Sequence, residues 1–177
     1  HLFCSEPPAP HQIYTLPLHD PLPIYLAIVD GHIQHDSAEI DAPIGRDGSD
    51  RKKFTVTDSN AKDAKTHFVV VERFNTHTLI ELRLETGRTH QIRVHMKWIG
   101  HPVNNDPVYG RKSGENNYGQ YLHAKTLGFI HPSTDEYMEF SAEPDKEFTE
   151  FLDEFLNTDN VDNELTFPLQ TVRTGID

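Results

Sequence analysis

The chain is poor in cysteine, in long apolar runs and in hydrophobic residues generally. Its single cysteine, Cys4, excludes a scaffold held by internal disulfides and is typical of a reducing compartment, so we expect a cytoplasmic protein. No apolar run approaches bilayer-spanning length, and no signal-peptide pattern is present. Hydrophobic residues make up 36% of the 177 residues, which predicts one domain with a core and some unstructured sequence beside it.

Two common catalytic patterns are also absent. The chain has no Gly-x-Ser-x-Gly sequence, which argues against a serine hydrolase of that type. The His-Glu-x-x-His pattern of zinc proteases is missing too. Because His90, His95 and His101 do not stack on one helical face, we expect them to bind no metal.

Positive charge is scarce but concentrated in the body of the chain. The formal net charge is −12, yet residues 25–134 hold 14 Lys+Arg against 13 Asp+Glu, whereas residues 135–177 hold 2 against 13. A near-neutral body with basic clusters is compatible with a nucleic-acid surface, although any one of these charges is as well explained by simple solvation. The candidate phosphate contacts are Arg46, Arg51, Lys52, Lys53, Lys97, Arg111 and Lys112. The acidic C-terminal segment alone offers the weaker alternative of a protein-interaction module.

Composition divides the chain into three parts. Residues 1–24 hold six of the twelve prolines and show no helical or strand periodicity. We interpret them as a leader that is either non-native sequence or a genuine Pro-rich linker, and expect it to lie outside the fold. Residues 25–156 form the predicted domain, and residues 157–177 are an acidic tail that we expect to be disordered.

Hydrophobic periodicity in the predicted domain indicates a mixed α+β fold. Strands are predicted over residues 25–29, 66–74 and 78–85, with a hairpin joining 128–132 to 137–140, whereas residues 38–53 read as turns. A helix is predicted from about Arg88, with Ile92, Met96 and Ile99 as its buried stripe and Gly100 at its end. A short second helix is expected over residues 148–155. We therefore expect a mostly antiparallel sheet with one or two packing helices.

Residues 84–96, Leu-Glu-Thr-Gly-Arg-Thr-His-Gln-Ile-Arg-Val-His-Met, are the most informative stretch. They are followed by Ile-Gly-His-Pro-Val at 99–103 and Asp-Pro-Val-Tyr-Gly at 106–110. Together these motifs resemble the RluA/RluD family of RNA pseudouridine synthases. The resemblance implies a partial pseudouridine synthase fold and the isomerisation of uridine in RNA, in large-subunit ribosomal RNA for the RluD-like branch. It also implies a monomer that needs no cofactor and binds no membrane.

One part of the family pattern is missing. The nucleophilic aspartate of the family lies in a His-Arg-Leu-Asp motif, which these 177 residues do not contain. We therefore expect the C-terminal portion of a catalytic domain, inert as given, with Arg93 left without its acidic partner. The alternative is a non-catalytic RNA-binding remnant that keeps the motif for docking.

The resemblance also implies roles for particular residues. It makes Arg93 the partner of the missing aspartate, Tyr25 the ring that stacks on the target base and Leu122 a wall of the uracil pocket. The ordinary alternatives are a surface ion pair for Arg93, sheet-edge packing for Tyr25 and core packing for Leu122.

The start of the predicted helix is the second expected contact with the substrate. The predicted substrate-binding residues there are Arg88, Thr89, His90 and Gln91. Exposed amides at a helix N-terminus favour a phosphate, unless Thr86 or Thr89 simply caps the helix. Tyr109 is expected to close the pocket wall, and Asn105 stands where the family usually has glycine, in a conformation that asparagine tolerates.

Overall fold

A seven-stranded antiparallel sheet forms the centre of the fold. The computed structural model describes residues 2–3, 23–111 and 117–164, with side chains described in 23–111 and 117–155. The elements in chain order are β1 (Leu2–Phe3), β2 (Ile24–Asp30), β3 (Ser37–Asp41), β4 (Ile44–Arg46), β5 (Phe54–Val56), β6 (Lys65–Arg73), β7 (His77–Leu84), α1 (Gln91–Trp98), β8 (Leu122–Ile130), β9 (Tyr137–Ser141) and α2 (Lys146–Glu164). The main sheet has the order β1-β3-β6-β7-β2-β8-β9, and β4 and β5 form a separate pair. The predicted α+β class, with a mostly antiparallel sheet and two helices, is confirmed.

Strand β2 divides the core into two layers. Successive side chains of a strand point to opposite faces, so Ala27 and Val29 join the cluster that includes Ile92 and Met96 of α1, whereas Ile28 joins the cluster that includes Phe148 of α2. The two helices therefore cover opposite faces of the sheet.

Strand β7 and helix α1 follow the predicted periodicities. Ile80, Leu82 and Leu84 are buried on the α1 side, as their spacing predicts. Ile92 and Met96 pack on the same cluster, and Gly100, with φ 90°, ends the helix in a left-handed conformation that glycine adopts without strain. The predicted hairpin is also present, as β8 and β9.

The structure corrects three of the predicted boundaries. Residues 2–3 of the leader pair with β3, and β2 already begins at Ile24; residues 4–22 lie outside the described residues. The segment 38–53, predicted as turns, contains β4 and most of β3. Helix α2 extends through residues 157–164, which we expected to be disordered, because no proline or glycine interrupts the helix there. Residues 165–177 lie outside the described residues.

Neither of the two helices in the described part of the chain is both long and apolar enough to span a bilayer.

A fully buried histidine joins α1 to the sheet. His95 donates from Nε2 to the carbonyl oxygen of Ala42 at 2.9 Å, and its Nδ1 accepts from the hydroxyl of Thr66 at 2.9 Å. Because a carbonyl oxygen only accepts, Nε2 carries a proton, and in the neutral ring Nδ1 is then the acceptor. Burial lowers the pKa of His95, although the Ala42 carbonyl and Asp41 act in the opposite direction.

His95 therefore predicts acid-sensitive stability. Because its pKa is lower in the folded chain, the stabilisation is complete above the unfolded pKa of about 6.5 and declines as pH falls below that value. We expect the free energy of unfolding, from urea melts between pH 8 and pH 5, to fall by at most about 1.4 kcal/mol per pH unit for this residue. His95→Gln should flatten that slope. The exposed His32→Gln is the matched control; an equal change in both slopes would contradict the assignment.

Candidate functional site

An ion pair between α1 and the following loop organises the site. The guanidinium of Arg93 donates from Nε to Oδ2 of Asp106 and from Nη2 to Oδ1, both at 2.7 Å. The side chain of Arg93 is 11% exposed and that of Asp106 is 0% exposed. Two parallel bonds of this length make a strong, directional pair that fixes the plane of the guanidinium. Arg93 therefore has an acidic partner in this chain, Asp106, which is not the aspartate of the family's His-Arg-Leu-Asp motif.

The carboxylate of Asp106 also shapes the loop that carries it. Its Oδ1 accepts the backbone N–H groups of Val108 at 2.8 Å and Tyr109 at 3.0 Å. Asn105 has the left-handed φ of 55° that the sequence predicts, and it donates to the carbonyl oxygen of Gly119 at 2.6 Å. A Cβ on Gly110 would lie 2.5 Å from the carbonyl oxygen of Asp106, so the loop closes only with glycine there.

The environment keeps both members of the pair charged. Burial raises the pKa of Asp106, but the bonds from Arg93, Tyr109 and Val108 outweigh burial and leave that pKa below its ordinary value. The hydrogen bond to Asp106 raises the pKa of Arg93 against the opposing effect of burial. The site therefore presents a permanent, rigid cation beside a compensated anion.

Tyr109 links this pair to the start of α1. Its hydroxyl oxygen accepts the backbone N–H of Phe54 at 3.0 Å and is hydrogen-bonded to Nδ1 of His90 at 3.0 Å. Burial, and then the charge of Arg93, lower the pKa of His90, which favours the neutral ring. His90 has a left-handed φ of 59°, which directs the ring toward Tyr109.

Three cations lie against these rings. The guanidinium carbon of Arg93 is 5.0 Å from the ring centroid of Tyr109, and Nζ of Lys97 is 5.6 Å from the same centroid. Arg46 lies 5.2 Å from the ring centroid of Phe54, which contacts His90 edge to face at 5.9 Å. We call the group of Arg46, Phe54, His90, Arg93, Lys97 and Tyr109 the aromatic–cation cluster. It combines fixed positive charge with ring faces, the two features that bind nucleic acid.

Gln91, predicted to bind substrate, is used inside the fold. Its Oε1 accepts from the hydroxyl of Thr86 at 2.8 Å and from the backbone N–H of Arg88 at 2.9 Å. Its Nε2 donates to the carbonyl oxygen of Lys65 and the hydroxyl of Thr66, both at 2.9 Å. The side chain is 2% exposed and every polar atom is engaged, so its role is to hold the strand-to-helix turn.

Arg88 and Thr89 lie exposed at that turn. Nε of Arg88 donates to the carbonyl oxygen of Asp63 at 2.9 Å, which anchors the guanidinium while leaving its other donors outward. Helix α1 begins at Gln91 with His90 as its N-cap, and it has neither a side-chain cap nor an acidic residue in its first turn. The alternative that Thr86 or Thr89 caps the helix is therefore wrong. The amides at this end of the helix suit an anion, and the phosphate contact expected there stays a prediction.

Tyr25 and Leu122 share one face of the sheet. Tyr25 pairs with Ala124 and Ala27 pairs with Leu122, so the two side chains lie on a diagonal between β2 and β8. Both are half-buried and pack on the cluster that α1 covers. A pocket between the sheet and α1 would lie on this face. Packing in the core accounts equally well for the contacts of both side chains.

The three histidines considered as metal ligands have separate partners. His90 bonds Tyr109, His95 bonds Thr66 and Ala42, and Nδ1 of His101 lies 2.9 Å from the carbonyl oxygen of Asp30.

Among the described residues, one group brings potential ligand atoms within 4.8 Å of one another; it consists of Glu39, His67 and Glu85. Nζ of Lys65 already lies 3.4 Å from Glu39 and 3.8 Å from Glu85, so a cation occupies this cluster without a metal.

Comparison with known proteins identifies the family of this chain. The family model described as RNA pseudouridylate synthase matches residues 11–98. The RNA pseudouridine synthase YlyB of Bacillus subtilis is 54% identical over 129 residues, which is 73% of this chain and 42% of that protein. The ribosomal large subunit pseudouridine synthase D of Zymomonas mobilis is 44% identical over 128 residues, covering 67% and 40% respectively. This chain therefore spans about two-fifths of the length of these curated relatives.

The solved structure of human RNA pseudouridylate synthase domain containing 1 superimposes with a TM-score of 0.63 at 32% identity, covering 70% of this chain and 54% of that one. The fold, the motif around Arg93 and these matches place the chain among the RNA pseudouridine synthase family. The chain belongs, more narrowly, to the RluA/RluD family, as the resemblance of its sequence predicts.

Sequence reasoning missed Asp106 as the partner of Arg93. Its segment, Asp-Pro-Val-Tyr-Gly, entered the sequence analysis only as one of the motifs shared with the family. A signal was available in the sequence. An aspartate often bonds the backbone amides two and three residues ahead, as Asp106 does here, and an arginine lies on the helix just before it. Tyr109, on the same loop, is only 3% exposed, so it is buried more deeply than a residue that merely lines a pocket wall.

The buried pair predicts a strong coupling. Asp106→Asn should leave the Arg93 charge without its counter-ion and lower the free energy of unfolding at pH 7 by roughly 3–5 kcal/mol. Because the pKa of Asp106 is lowered, its contribution is fully present at pH 7 and is lost only as pH falls through the folded pKa, below about 4.

The measurement is a double-mutant cycle from urea melts with Arg93→Met. The double variant should be clearly more stable than the sum of the single losses predicts, because neither charge is then buried alone. Glu150→Gln, which breaks the exposed pair with Lys146, is the control and should change stability by less than about 1 kcal/mol. Additive losses in the cycle would refute the coupling.

Proposed function

We infer that this chain supplies the arginine-bearing part of an RNA pseudouridine synthase active site that acts on large-subunit ribosomal RNA. The observation that carries the proposal is the orientation of Arg93. Its pair with Asp106 uses two of the five N–H donors of a guanidinium and fixes the plane of the others. A second carboxylate or a phosphate can then be bound at that plane without further ordering.

The nucleophilic aspartate of the family is the proposed occupant of the remaining donors. In the reaction that the family catalyses, the uridine is flipped from the stack and the C1′–N1 bond is cleaved. The uracil rotates, C5 bonds to C1′, and the proton lost from C5 is balanced by the one gained at N1. Arg93 would keep the aspartate ionised, because a fixed cation favours the charged form of a carboxylate. The isomerisation is redox-neutral, and no cofactor or metal enters the proposal.

Tyr25 and Leu122 are proposed to contact the flipped base. They share the sheet face on the α1 side and are only half-buried, so part of each side chain is available to a ligand. An aromatic ring stacked on a base contributes about 1–3 kcal/mol, which suits a tyrosine at this position.

Phosphates are proposed to lie along α1. Arg88, Thr89 and the uncapped N-terminus of the helix form one anion site, and His90 with Lys97 and Arg46 extends it across the aromatic–cation cluster. The predicted contact Lys112 lies outside the described residues, and Arg111 is engaged with the carbonyl oxygen of Gly100 at 2.6 Å. We further propose a cytoplasmic, monomeric protein. The alternative of a non-catalytic RNA-binding remnant uses the same surface.

The missing nucleophile predicts that the chain alone is inactive. A tritium-release assay on RNA labelled at C5 of uridine should give no release above background, because no described carboxylate other than Asp106 pairs with Arg93. Burst or steady release from the purified chain would overturn this part of the proposal.

RNA binding is expected without catalysis. Lys97→Glu should weaken binding of a ribosomal RNA hairpin, measured by fluorescence anisotropy at several salt concentrations, and lower the slope of log K against log salt by about one. Lys146→Glu makes the same charge change on α2, across the sheet, and should leave binding unaltered. If the two variants weaken RNA binding equally, binding depends only on the net charge of the chain, and the proposed RNA surface is refuted.

A further inference from the structure

The one tryptophan of the chain lies exposed at the end of α1. Trp98 is the last residue of that helix, and 45% of it is exposed. Among the described residues, the other seven exposed large hydrophobic side chains all lie on strands β6, β8 and β9. Tryptophan is highly buried on average because its ring system is large and apolar. An indole left half in water, on the helix that carries the proposed RNA contacts, therefore points to a ligand.

The core does not cover this side chain. Met96 is fully buried and Ile99 packs on the same cluster of the core. Because a helix turns by about 100° per residue, Trp98 lies nearly opposite Met96 on the helix. The preceding residue, Lys97, is exposed, and its Nζ lies 5.6 Å from the ring centroid of Tyr109. The indole therefore lies on the outer surface of α1, next in sequence to a cation of the aromatic–cation cluster.

Positive charge covers the end of α1 that would otherwise repel a phosphate. The last carbonyl groups of a helix carry partial negative charge. Here Nη2 of Arg111 donates to the carbonyl oxygen of Gly100 at 2.6 Å, two residues beyond Trp98. That bond uses one of the five N–H donors of the guanidinium, and Lys97 adds a second cation in the last turn. The C-terminal end of α1 can therefore accept an anion beside the indole.

The surroundings of the indole favour a nucleic acid over a protein partner. The exposed residues nearest to Trp98 in sequence are Lys97 and Gly100, so the ring is flanked by charge and backbone. Helix α1 carries no acidic residue, whereas α2, on the opposite face of the sheet, is rich in Asp and Glu. A single ring among cations suits a stacked base and its phosphate, whereas protein contact sites are broader apolar patches.

We propose that Trp98 stacks on an unpaired base of the RNA other than the target uridine, while Lys97 and Arg111 contact the phosphates beside that base. This rests on the proposed function, since it extends the RNA surface along α1. The helix is eight residues long, so about 12 Å separates Trp98 from the anion site at its N-terminus. A base reaches an indole face only when it is unpaired. The substrate is therefore looped or single-stranded RNA at this position, not a continuous duplex.

The emission of the single tryptophan tests the stacking directly, because it reports on Trp98 alone. Titration with the ribosomal RNA hairpin should quench this emission with the same midpoint as the change in anisotropy. A second hairpin keeps every phosphate and one uridine but lacks the other loop bases. It should quench the emission much less, because the charge is unchanged and the stacking base is gone. Equal quenching by the two hairpins would refute the proposal.

Substitution of the ring gives a second measurement. Trp98→Ala should weaken binding of the intact hairpin by about 5- to 150-fold, the loss expected from removing one base–aromatic stack. Trp98→Phe keeps a ring and should retain most of the affinity. Phe140→Ala removes a ring that is 53% exposed on β9, and as the matched control it should bind like the parent chain. Unchanged binding by Trp98→Ala, or an equal loss with Phe140→Ala, would overturn the proposal.

Failure of the stacking and failure of the proposed function give different results. Circular dichroism spectra of the three variants should match that of the parent chain, because each change is at an exposed side chain. If the hairpin binds with the expected dependence on Lys97 but leaves the tryptophan emission unchanged, only the role of Trp98 is refuted. If the parent chain does not bind the hairpin at all, the proposed RNA surface is refuted and the stacking with it.

Discussion

The pairing of a buried arginine with a buried aspartate is the constraint on which the site depends. Removing either charge from water is costly, and only the bidentate geometry between Arg93 and Asp106 makes both tolerable in the folded chain. The same carboxylate bonds the amides of Val108 and Tyr109, so the loop and the helix are fixed by one group. Tyr109 in turn orients His90. One ion pair therefore links the helix, the loop and, through Tyr109, the ring of His90.

The run of residues around Arg93 has two different sides, because a helix turns by about 100° per residue. Gln91 and His95 face the sheet, where their polar atoms bond Thr66 and the neighbouring backbone. His90 and Arg93 face the loop and remain partly accessible. The residues of this run that were predicted to bind substrate therefore fall into two groups. Those facing the sheet hold the strand-to-helix turn, and those facing outward present charge.

The two sheet faces differ in how completely they are covered. Helix α1 and its loop cover one face around β7 and β2, and α2 covers part of the other through Phe148. Residues 127–130 and 137–140 of the β8–β9 hairpin keep several apolar side chains exposed, Leu127 and Phe140 among them.

The sequence by itself determined the elements whose pattern is local: the alternation of β7, the buried stripe of α1, the hairpin of β8 and β9, and the left-handed turn at Asn105. Strand β3 is held by pairing with β6, and β4 and β5 are three-residue strands that pair with each other, so these strands carry little periodicity of their own. Only the tertiary structure decided that Arg93 binds Asp106, that Gln91 is internal and that the neutral ring of His90 is favoured. Those properties depend on burial and on partners brought together by the loop, which local spacing does not encode.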